Sequence, residues 1–534
     1  MEKKRLIHNF IYLISLVFIA FFMPFSVFGT NFCLFLLLTN FIVELNFKQK
    51  FQRLKENWEI IVFLFLFFCP VIWLINTTDF DWAKKDIIVK LPILALPLLI
   101  GMSQPIKHKN IRYVLIAFIL GVCVSSILGY LAYFQVIPEI KEIKNIRDMS
   151  PFINSIRLAL MCCLSVFCIA YWLKNVWKNL KFKESKKKKF EYLKIIILII
   201  VGLWLIFYII KVEGLTALIT GVVVAFALLI YSTVKEKRKT RKKIKLISLI
   251  LFPLIICIYL SINIISYFTP TAIQNNSDTT ALGNKYEDYK PSHIIRENGN
   301  LVFYDICDKE LTQYWKNYSS YELQDTITES KEFIYCYLIR YMTSKGLKKD
   351  SEGLSKLTPE DIKNIENGEA NYKYINNSGL NHRLYLTFQE FDNYFHTGDP
   401  NTKSIIQRFE YARIGLQLFK NNFWFGCGTG DIKSSYKQYY EDHNSKLSLS
   451  NRKRCHNQFE TNFIVHGIFG GIICLVAWFF PIIRKRKTIN YYFAVFFIIA
   501  TMSMLSDDML ETSTAVYFCI FFYSLFLWGR KADF

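Results

Sequence analysis

The feature that most constrains this chain is a series of long apolar segments separated by short polar connectors. Each segment is close to the ~20 residues that an α-helix needs to cross a bilayer. A chain of 534 residues that is 52% hydrophobic, with the apolar residues in long runs, is typical of a polytopic membrane protein. The sequence predicts about twelve spans, at approximately 10–28, 30–46, 58–75, 86–103, 112–136, 152–173, 192–210, 213–232, 245–267, 461–483, 490–505 and 512–529.

The net charge of +22 is concentrated in connectors between these segments. Its densest blocks are Lys174–Lys189 and Lys235–Lys245, which are both short loops between apolar runs. Cytoplasmic loops of membrane proteins carry such an excess of Lys and Arg. The charge therefore indicates membrane topology, and we expect no nucleic-acid partner.

Lys and Arg are abundant in every second connector and sparse in the others. This alternation predicts that both termini are cytoplasmic and that the long polar stretch late in the chain lies outside, which is the periplasm in the case of a bacterial inner membrane. We expect no cleavable signal peptide, because the first apolar run is followed at once by another. Three regions follow: an N-terminal transmembrane region of about nine helices (1–267), a large periplasmic loop domain (268–460) and a C-terminal transmembrane region of about three helices (461–534). The predicted fold class is all-α.

The large loop carries helix signals that are ordinary in soluble proteins. Thr358–Asp361 reads as an N-cap, a Pro at the first helical position and two acids in the first turn, and Gly368 suits the helix end. Helices are also predicted over Lys331–Met342 and over Thr402–Asn421, where apolar residues recur at helical spacing.

Four cysteines lie in or beside the loop: Cys307, Cys336, Cys427 and Cys455. They have no metal-ligand spacing, and no metal or other cofactor is predicted from them. Disulfides and free structural thiols are both compatible with their positions.

Arg157 is the first residue that could carry chemistry. It lies about 9 Å along the helix from the predicted outer end of its span. Placing Arg in the middle of a bilayer costs on the order of 2.5–3.5 kcal/mol, and less near the interface, so a retained Arg is usually paired or lines a cavity. We interpret Arg157 as a ligand for an anion at the outer leaflet; a snorkelling or structurally paired Arg is the alternative.

A helix, a glycine turn and a histidine follow one another at the end of the loop. Arg408 and Arg413 on the helix could each bind a phosphate, although either Arg alone could equally be a solvated surface charge. The glycines Gly426, Gly428 and Gly430 permit a tight turn and a close approach of backbone N–H groups to a ligand.

His456 and Asn457 stand where the loop re-enters the membrane. A neutral imidazole there could accept a proton near pH 7. Asp507, Asp508 and Glu511 form an acidic group in the last outer connector. They could bind a cation or orient an Arg or Lys, and a solvated loop is the interpretation that the sequence favours.

The order of these features resembles the O-antigen ligase and O-antigen polymerase superfamily of bacterial membrane glycosyltransferases, which includes protein O-oligosaccharyltransferases. Arg408 stands eighteen residues before Gly426, His456-Asn457 follows, and Gly467–Gly470 supplies the final Gly-x-x-Gly. The loop stretch TSKGLKKDSEGLSKLTPEDIKNIENG is similar to versions of the family in Bacteroidetes. The pattern departs from the family at Phe423, where a Pro is usual.

The resemblance implies a bacterial inner-membrane protein that transfers a glycan from polyprenyl diphosphate to an acceptor hydroxyl at the periplasmic face, with inversion and without a metal or cofactor. It implies that His456 and Arg408 are catalytic, that the glycine turn and Asn457 shape the loop, and that the diphosphate is bound by Arg157, Arg408, Arg413 and Lys211. The acceptor would be lipid A core for a ligase, another glycan for a polymerase, or a protein hydroxyl for a protein O-oligosaccharyltransferase. A polysaccharide or lipid transporter or flippase is the alternative from another class, and a non-catalytic assembly partner is a third.

Overall fold

A computed structural model describes residues 2–137, 149–180, 185–269, 278–287, 295–327, 332–374, 380–401 and 404–531. Within them the fold is all-α apart from one short antiparallel pair, β1 (Arg296–Glu297) and β2 (Asn300–Leu301), in which Arg296 pairs with Leu301. The helices before the large loop are α1 (Glu2–Phe22), α2 (Val27–Val43), α3 (Phe47–Glu56), α4 (Glu59–Phe63), α5 (Phe65–Ile72), α6 (Phe80–Gly101), α7 (His108–Tyr133), α8 (Ser155–Leu180), α9 (Ser185–Lys211), α10 (Leu215–Val234) and α11 (Lys239–Phe268).

The loop and the C-terminal region supply ten more helices within the described ranges. They are α12 (Asp308–Trp315), α13 (Ile334–Ser344), α14 (Ser351–Ser355), α15 (Pro359–Glu366), α16 (Leu380–Thr397), α17 (Ser404–Asn421), α18 (Ile432–Asp442), α19 (Gln458–Arg484), α20 (Tyr491–Met504) and α21 (Ser513–Leu527). Lys331, Thr402 and Lys403, the starts of two predicted loop helices, lie outside the described residues.

The helices confirm a membrane protein. Among the described residues, seven are long and apolar enough to cross a bilayer, namely Lys3–Phe22, His108–Tyr133, Ser155–Lys178, Lys188–Lys211, Leu215–Val234, Lys239–Phe268 and Gln458–Arg484. The pair α2 and α3, bent by 112°, would be an eighth. Shorter apolar stretches at Phe65–Asn76, Tyr491–Met504 and Ser513–Leu527 coincide with other predicted spans, so the number twelve stays a prediction.

The chain forms two compact units. Unit 1 comprises Met1–Tyr231, Arg408–Ser445 and Leu449–Phe534, and unit 2 comprises Ser232–Gln407 and Lys446–Ser448. Thus the segment Arg408–Ser445, which belongs to the predicted loop domain by sequence, packs with the first and last transmembrane regions.

Helix α21 forms the centre of unit 1. Every residue from Ala515 to Leu527 is buried, which is expected of a helix that is apolar on all sides. It packs against α6 and α20, and the Tyr523 hydroxyl donates to the carbonyl of Trp478 at 2.8 Å. At one end, the fully buried carboxylate of Glu59 binds Arg484 at 3.1 Å and Lys485 at 3.3 Å, so α4 is fastened to the end of α19.

Unit 2 has its own small core around Trp315, Leu338, Tyr341 and Ile365. The predicted N-cap of α15 is confirmed: Thr358 accepts from the backbone of Asp361, whose carboxylate in turn accepts from the backbone of Thr358. The predicted Gly368 has a positive φ of 83° just beyond that helix, as a C-terminal glycine requires. All 13 cysteines of the chain are free thiols.

Glu310 fastens three segments of unit 2 together. Its side chain is buried, and its two oxygens accept from Asn284 at 2.8 Å, from the Thr280 hydroxyl at 2.5 Å and from the Ser351 amide at 2.9 Å. Burial alone would raise the pKa of this carboxyl, but these donors outweigh burial and lower the pKa to about 2.

Replacing Glu310 by Gln should therefore destabilise unit 2 in a pH-dependent way. The pKa is lower in the folded state than in the unfolded state, so the carboxylate stabilises above its ordinary pKa and this contribution is lost as the pH falls towards 2. We expect a loss of about 1–3 kcal/mol near pH 7 that shrinks below pH ~4. Thermal unfolding of the full chain, followed by tryptophan fluorescence, measures this loss of stability.

Glu322→Gln is the control, because the Glu322 side chain is 64% exposed and should tolerate the change. An equal destabilisation at pH 3 and pH 7 would contradict this account.

Candidate active site

Several segments of unit 1 meet around the connector between α20 and α21. This connector holds Asp507, Asp508 and Glu511, which we call the carboxylate cluster. The sequence favoured a solvated loop, and that interpretation is wrong: the three side chains are only 14%, 6% and 5% exposed. Carboxylates are rarely buried unless they are paired, so each one requires a cation or hydrogen-bond donors nearby.

Two of the carboxylates have a full set of partners. Glu511 binds Lys90 at 2.9 Å and Arg454 at 3.5 Å, and Arg454 also binds Asp508 at 3.3 Å. The Thr461 hydroxyl donates to Asp508 at 2.8 Å. Burial is the largest influence on the pKa of Asp508 and raises it to about 6, whereas Lys90 and Arg454 overcome burial at Glu511 and lower its pKa. This half of the cluster is a structural network that joins α6, α19 and the connector.

Asp507 has looser partners. Arg157 approaches it at 3.4 Å and His456 Nδ1 at 3.8 Å, the second of which exceeds hydrogen-bond range. Burial opposes ionisation of Asp507, but His456 and Arg157 outweigh it and lower the pKa of this carboxyl. The predicted residues Arg157 and His456 are thus brought together by a carboxylate that neither the resemblance nor the spacing had assigned to them.

Arg157 has unused hydrogen-bonding capacity. It lies in the first turn of α8, where Asn154 accepts from the amide of Ile156 at 2.9 Å and so caps the helix. The side chain is 15% exposed, yet its Nε is buried and has no hydrogen-bond partner among the described residues. A guanidinium with five donors and one long contact is suited to receive a further anion.

Arg408 lies one helical turn before Tyr411 on α17. The ring of Tyr411 is 5.9 Å from the ring of His456, and its hydroxyl donates to the carbonyl of Asn451 at 2.5 Å. Burial raises the pKa of Tyr411 to about 12, although the charge of Arg408 opposes this rise. Arg408 is half-buried and makes no ion pair within the described part of the chain. Arg408 is therefore a cation without a described partner carboxylate, one helical turn from the tyrosine whose ring packs against His456.

The other two predicted cations are placed differently. Arg413 lies on another face of α17, with its side chain 62% exposed and paired with Glu410 at 3.0 Å, so its predicted role in diphosphate binding is not supported by this geometry. Lys211 is half-buried at the last residue of α9, and no described ion pair of the carboxylate cluster includes it.

The glycine turn packs against backbone, and its amides already have protein acceptors. The amides of Cys427 and Gly428 donate to the carbonyls of Ile464 and Val465 at 2.9 and 3.0 Å. Those carbonyls lie just before Gly467, where α19 is broken with φ 63° and ψ −166°. The turn therefore supplies the hydrogen bonds that the break removes, which a non-helical segment in a membrane helix requires.

The glycines are needed at this turn for close approach. A side-chain carbon at Gly426 would overlap the carbonyl of Val465, and one at Gly428 would overlap the carbonyl of Asn76. The expectation that this turn shapes the loop fits the geometry, whereas the amides of Cys427 and Gly428 are not free to bind phosphate. Asn457 likewise serves the protein, because its side chain caps α19 by accepting from the amides of Phe459 and Glu460.

Sequence analysis missed Asp86 and Lys90, which form an ion pair at 2.7 Å within α6, and it also missed the role of Arg454. An acid and a base four residues apart in an apolar segment were a readable signal. It also missed Glu460, whose Oε1 is buried against Gly415 of α17 and has no hydrogen-bond partner among the described residues.

The arrangement combines an imidazole next to a carboxylate with the incompletely paired guanidinium group of Arg157, and Arg408 lies one helical turn from the ring that packs against the imidazole. Such a site can bind an anion and accept a proton from a neighbouring hydroxyl. Comparison with known protein families finds no match, and no relative is found among curated proteins.

Replacing Gly428 by Ala should destabilise unit 1 strongly. Its φ is 96°, which costs an L-residue about 1–2 kcal/mol, and the new methyl group would also overlap the backbone of Asn76. Gly283→Ala is the matched control, because Gly283 has a φ of 79° but nothing within 4 Å of the added carbon. The melting temperature in detergent should fall clearly further for Gly428→Ala than for Gly283→Ala. Equal shifts would show that backbone strain alone, and not the docking of the turn, accounts for the glycine.

Proposed function

We propose that this protein is an inner-membrane glycosyltransferase that moves a glycan from polyprenyl diphosphate to an acceptor hydroxyl at the periplasmic face. The observation that carries the proposal is that Arg157 and His456 share Asp507, with Arg408 one helical turn from the tyrosine that packs against His456. Arg157 has a buried Nε without a partner among the described residues, Arg408 makes no ion pair among them, and His456 is a base beside a carboxylate. The resemblance to O-antigen ligases and polymerases supports the same reaction.

The donor binds through its diphosphate. A glycosyl donor outside the cytoplasm must arrive already activated on a lipid, and its diphosphate would lie at headgroup depth. Arg157 near the start of α8 and Arg408 on α17 would neutralise the charge that develops on the leaving diphosphate. Lys211 stays a predicted contributor, and Arg413 is dropped from the set because its side chain is exposed and paired with Glu410.

In the transfer step, the acceptor oxygen attacks the anomeric carbon from the side opposite the diphosphate. The new glycosidic C–O bond forms as the bond to the phosphate oxygen breaks, and polyprenyl diphosphate leaves with the electron pair. His456 takes the proton of the acceptor hydroxyl, and Asp507 orients and stabilises the resulting imidazolium. The configuration at the anomeric carbon is inverted. The arginines supply the positive charge that a divalent ion would otherwise provide.

The acceptor is proposed to be lipid A core or a growing glycan, as in a ligase or polymerase. A protein hydroxyl is the alternative acceptor for the same chemistry. None of the residues named above distinguishes them, since all three acceptors present a hydroxyl to the same base.

A polysaccharide or lipid transporter is the second candidate, and the broken helix α19 is the observation that favours it. Transporters use broken helices to expose backbone groups to an ion or substrate. Here the carbonyls of Ile464 and Val465, before the break, are occupied by the amides of Cys427 and Gly428. The break is therefore satisfied within the protein, which favours the glycosyltransferase.

Complementation of a strain that lacks this gene tests the proposal. His456→Ala and Arg408→Ala should each reduce surface glycan by at least about 100-fold, as loss of a general base or of a charge-stabilising donor typically does. Arg413→Ala is the matched control from the same helix and should retain wild-type function, because its side chain is exposed. Membrane levels of each variant are compared by immunoblot, and surface glycans are analysed on gels.

The residual glycans identify the acceptor. One repeat on lipid A core indicates a polymerase, bare core with accumulated lipid-linked polymer indicates a ligase, and unglycosylated proteins indicate a protein O-oligosaccharyltransferase. Wild-type glycans in both His456→Ala and Arg408→Ala would refute the proposed site.

The proposed orientation makes a separate prediction. Alkaline phosphatase inserted after Asn367, in unit 2, should be active because it reaches the periplasm, whereas the same enzyme inserted after Glu236, in a lysine-rich connector, should be inactive. A cytoplasmic reporter at the same two positions should give the opposite pattern. Phosphatase activity after Glu236 but not after Asn367 would show that the topology is inverted. Lipid-linked donors would then be out of reach of His456.

A further inference from the structure

Three buried side chains of unit 1 come together away from the carboxylate cluster. Cys69 lies in α5, and His466 and Cys474 lie in α19 on either side of the break at Gly467. The two sulfur atoms and one ring nitrogen of His466 all lie within 4.8 Å of one another. Nothing in their spacing along the chain predicted this, because Cys69 is separated from the other two by most of the sequence.

His466 is held in one tautomer. Its Nδ1 is 3.1 Å from the backbone carbonyl of Asn462, and since a carbonyl only accepts, Nδ1 carries the proton. Nε2 is then left with its lone pair. The residue is 2% exposed, Nε2 has no hydrogen bond of good geometry among the described residues, and the Cys474 thiol interacts with the ring. A buried polar atom without a good hydrogen bond is uncommon and requires an explanation.

The hydrogen bond from His466 Nδ1 to a backbone carbonyl is the arrangement found around histidines that bind metals. Histidines that ligate metals usually donate their other ring N–H to a carbonyl or carboxylate, which directs the free nitrogen at the ion. Two cysteine sulfurs and one imidazole are the ligands of zinc and of copper(I). With metal–ligand bonds of about 2.0–2.3 Å, such donor atoms lie roughly 3.5–4 Å from one another. The distances between the three donor atoms would therefore shorten by about 1 Å when the ion binds.

We propose that Cys69, His466 and Cys474 bind a zinc ion. Two thiols lose their protons on binding, so that Zn²⁺, two thiolates and a neutral imidazole form a complex without net charge. Copper(I) with the same ligands would leave a net negative charge, which is costly to bury in an apolar bundle. Three protein ligands leave one position of a tetrahedral zinc site open.

The ion would join α5 to α19 at the break. Gly470 permits this approach: a side-chain carbon there would lie 3.1 Å from the Cys69 sulfur, 2.9 Å from the Trp73 ring and against His466. The Trp73 ring packs edge-on to His466, with centroids 5.6 Å apart, and its indole N–H donates to the carbonyl of Phe425 at 2.6 Å. The zinc would thus stabilise the part of α5 and α19 against which the glycine turn packs. This inference does not rest on the proposed transferase activity.

Metal analysis of the full-length protein tests the site. The chain is purified in detergent, without chelators, from cells grown with added zinc, and its metal content is measured by mass spectrometry. About one zinc per chain is expected, and Cys474→Ser and His466→Gln should each lower this to about a tenth or less. Cys519→Ser is the control, since Cys519 is also a fully buried thiol but lies outside the group.

Cobalt(II) gives a second readout that does not depend on a variant folding. Metal-free wild-type protein titrated with Co²⁺ should develop thiolate-to-cobalt charge-transfer absorption, and added Zn²⁺ should abolish it. Wild-type protein with neither bound zinc nor this absorption would overturn the site. Stoichiometric copper lost with the same substitutions would overturn the assignment of zinc, and a Cys69–Cys474 disulfide in the purified protein would overturn both.

Discussion

The connector between α20 and α21 depends on balanced burial of charge, and much of unit 1 is arranged around it. Asp508 and Glu511 are almost completely removed from solvent, and an isolated carboxylate in such a place would be expensive. Lys90 from α6 and Arg454 from the segment before α19 offset this cost. Because each of these cations comes from a different part of the chain, their pairing fixes α6, α19 and the connector relative to one another. Removing any one partner would leave a buried charge without its counterion, so the network acts as a unit.

The second constraint is the break in α19. A helix interrupted at Gly467 loses backbone hydrogen bonds, which cannot be left unsatisfied in an apolar surrounding. The amides of Cys427 and Gly428 satisfy the carbonyls before the break, and the Ile468 amide, just after it, donates to the carbonyl of Phe423 at 2.8 Å. The glycine turn is therefore part of the transmembrane architecture. Its docking also fixes the C-terminal end of α17, and Arg408 lies near the other end of this helix.

The sequence predicted the local features well and the pairings poorly, for a physical reason. Apolar length and periodicity predict helices, and the capping box at Thr358 is readable because its two partners are three residues apart. Asp507 and His456 are separated by about fifty residues, and Cys69 and His466 by far more, so no local pattern indicates that they meet. Helical geometry alone could have separated Arg413 from Arg408. At about 100° per residue, positions 408 and 413 point some 140° apart, so both cannot face one site.

The distribution of partners decides where a ligand anion would bind. Lys90 and Arg454 each contact two carboxylates, so their charge is already balanced within the protein. Arg157 has one contact at 3.4 Å and a buried Nε without a partner, and Arg408 has no ion pair among the described residues. An anion entering this end of unit 1 would therefore gain most from Arg157 and Arg408.

Asp507 lies between Arg157 and His456, so a diphosphate that drew Arg157 away would leave this carboxylate to His456 alone. In the proposed transferase, donor binding would then strengthen the hold of Asp507 on His456 and so link occupation of the anion site to proton transfer.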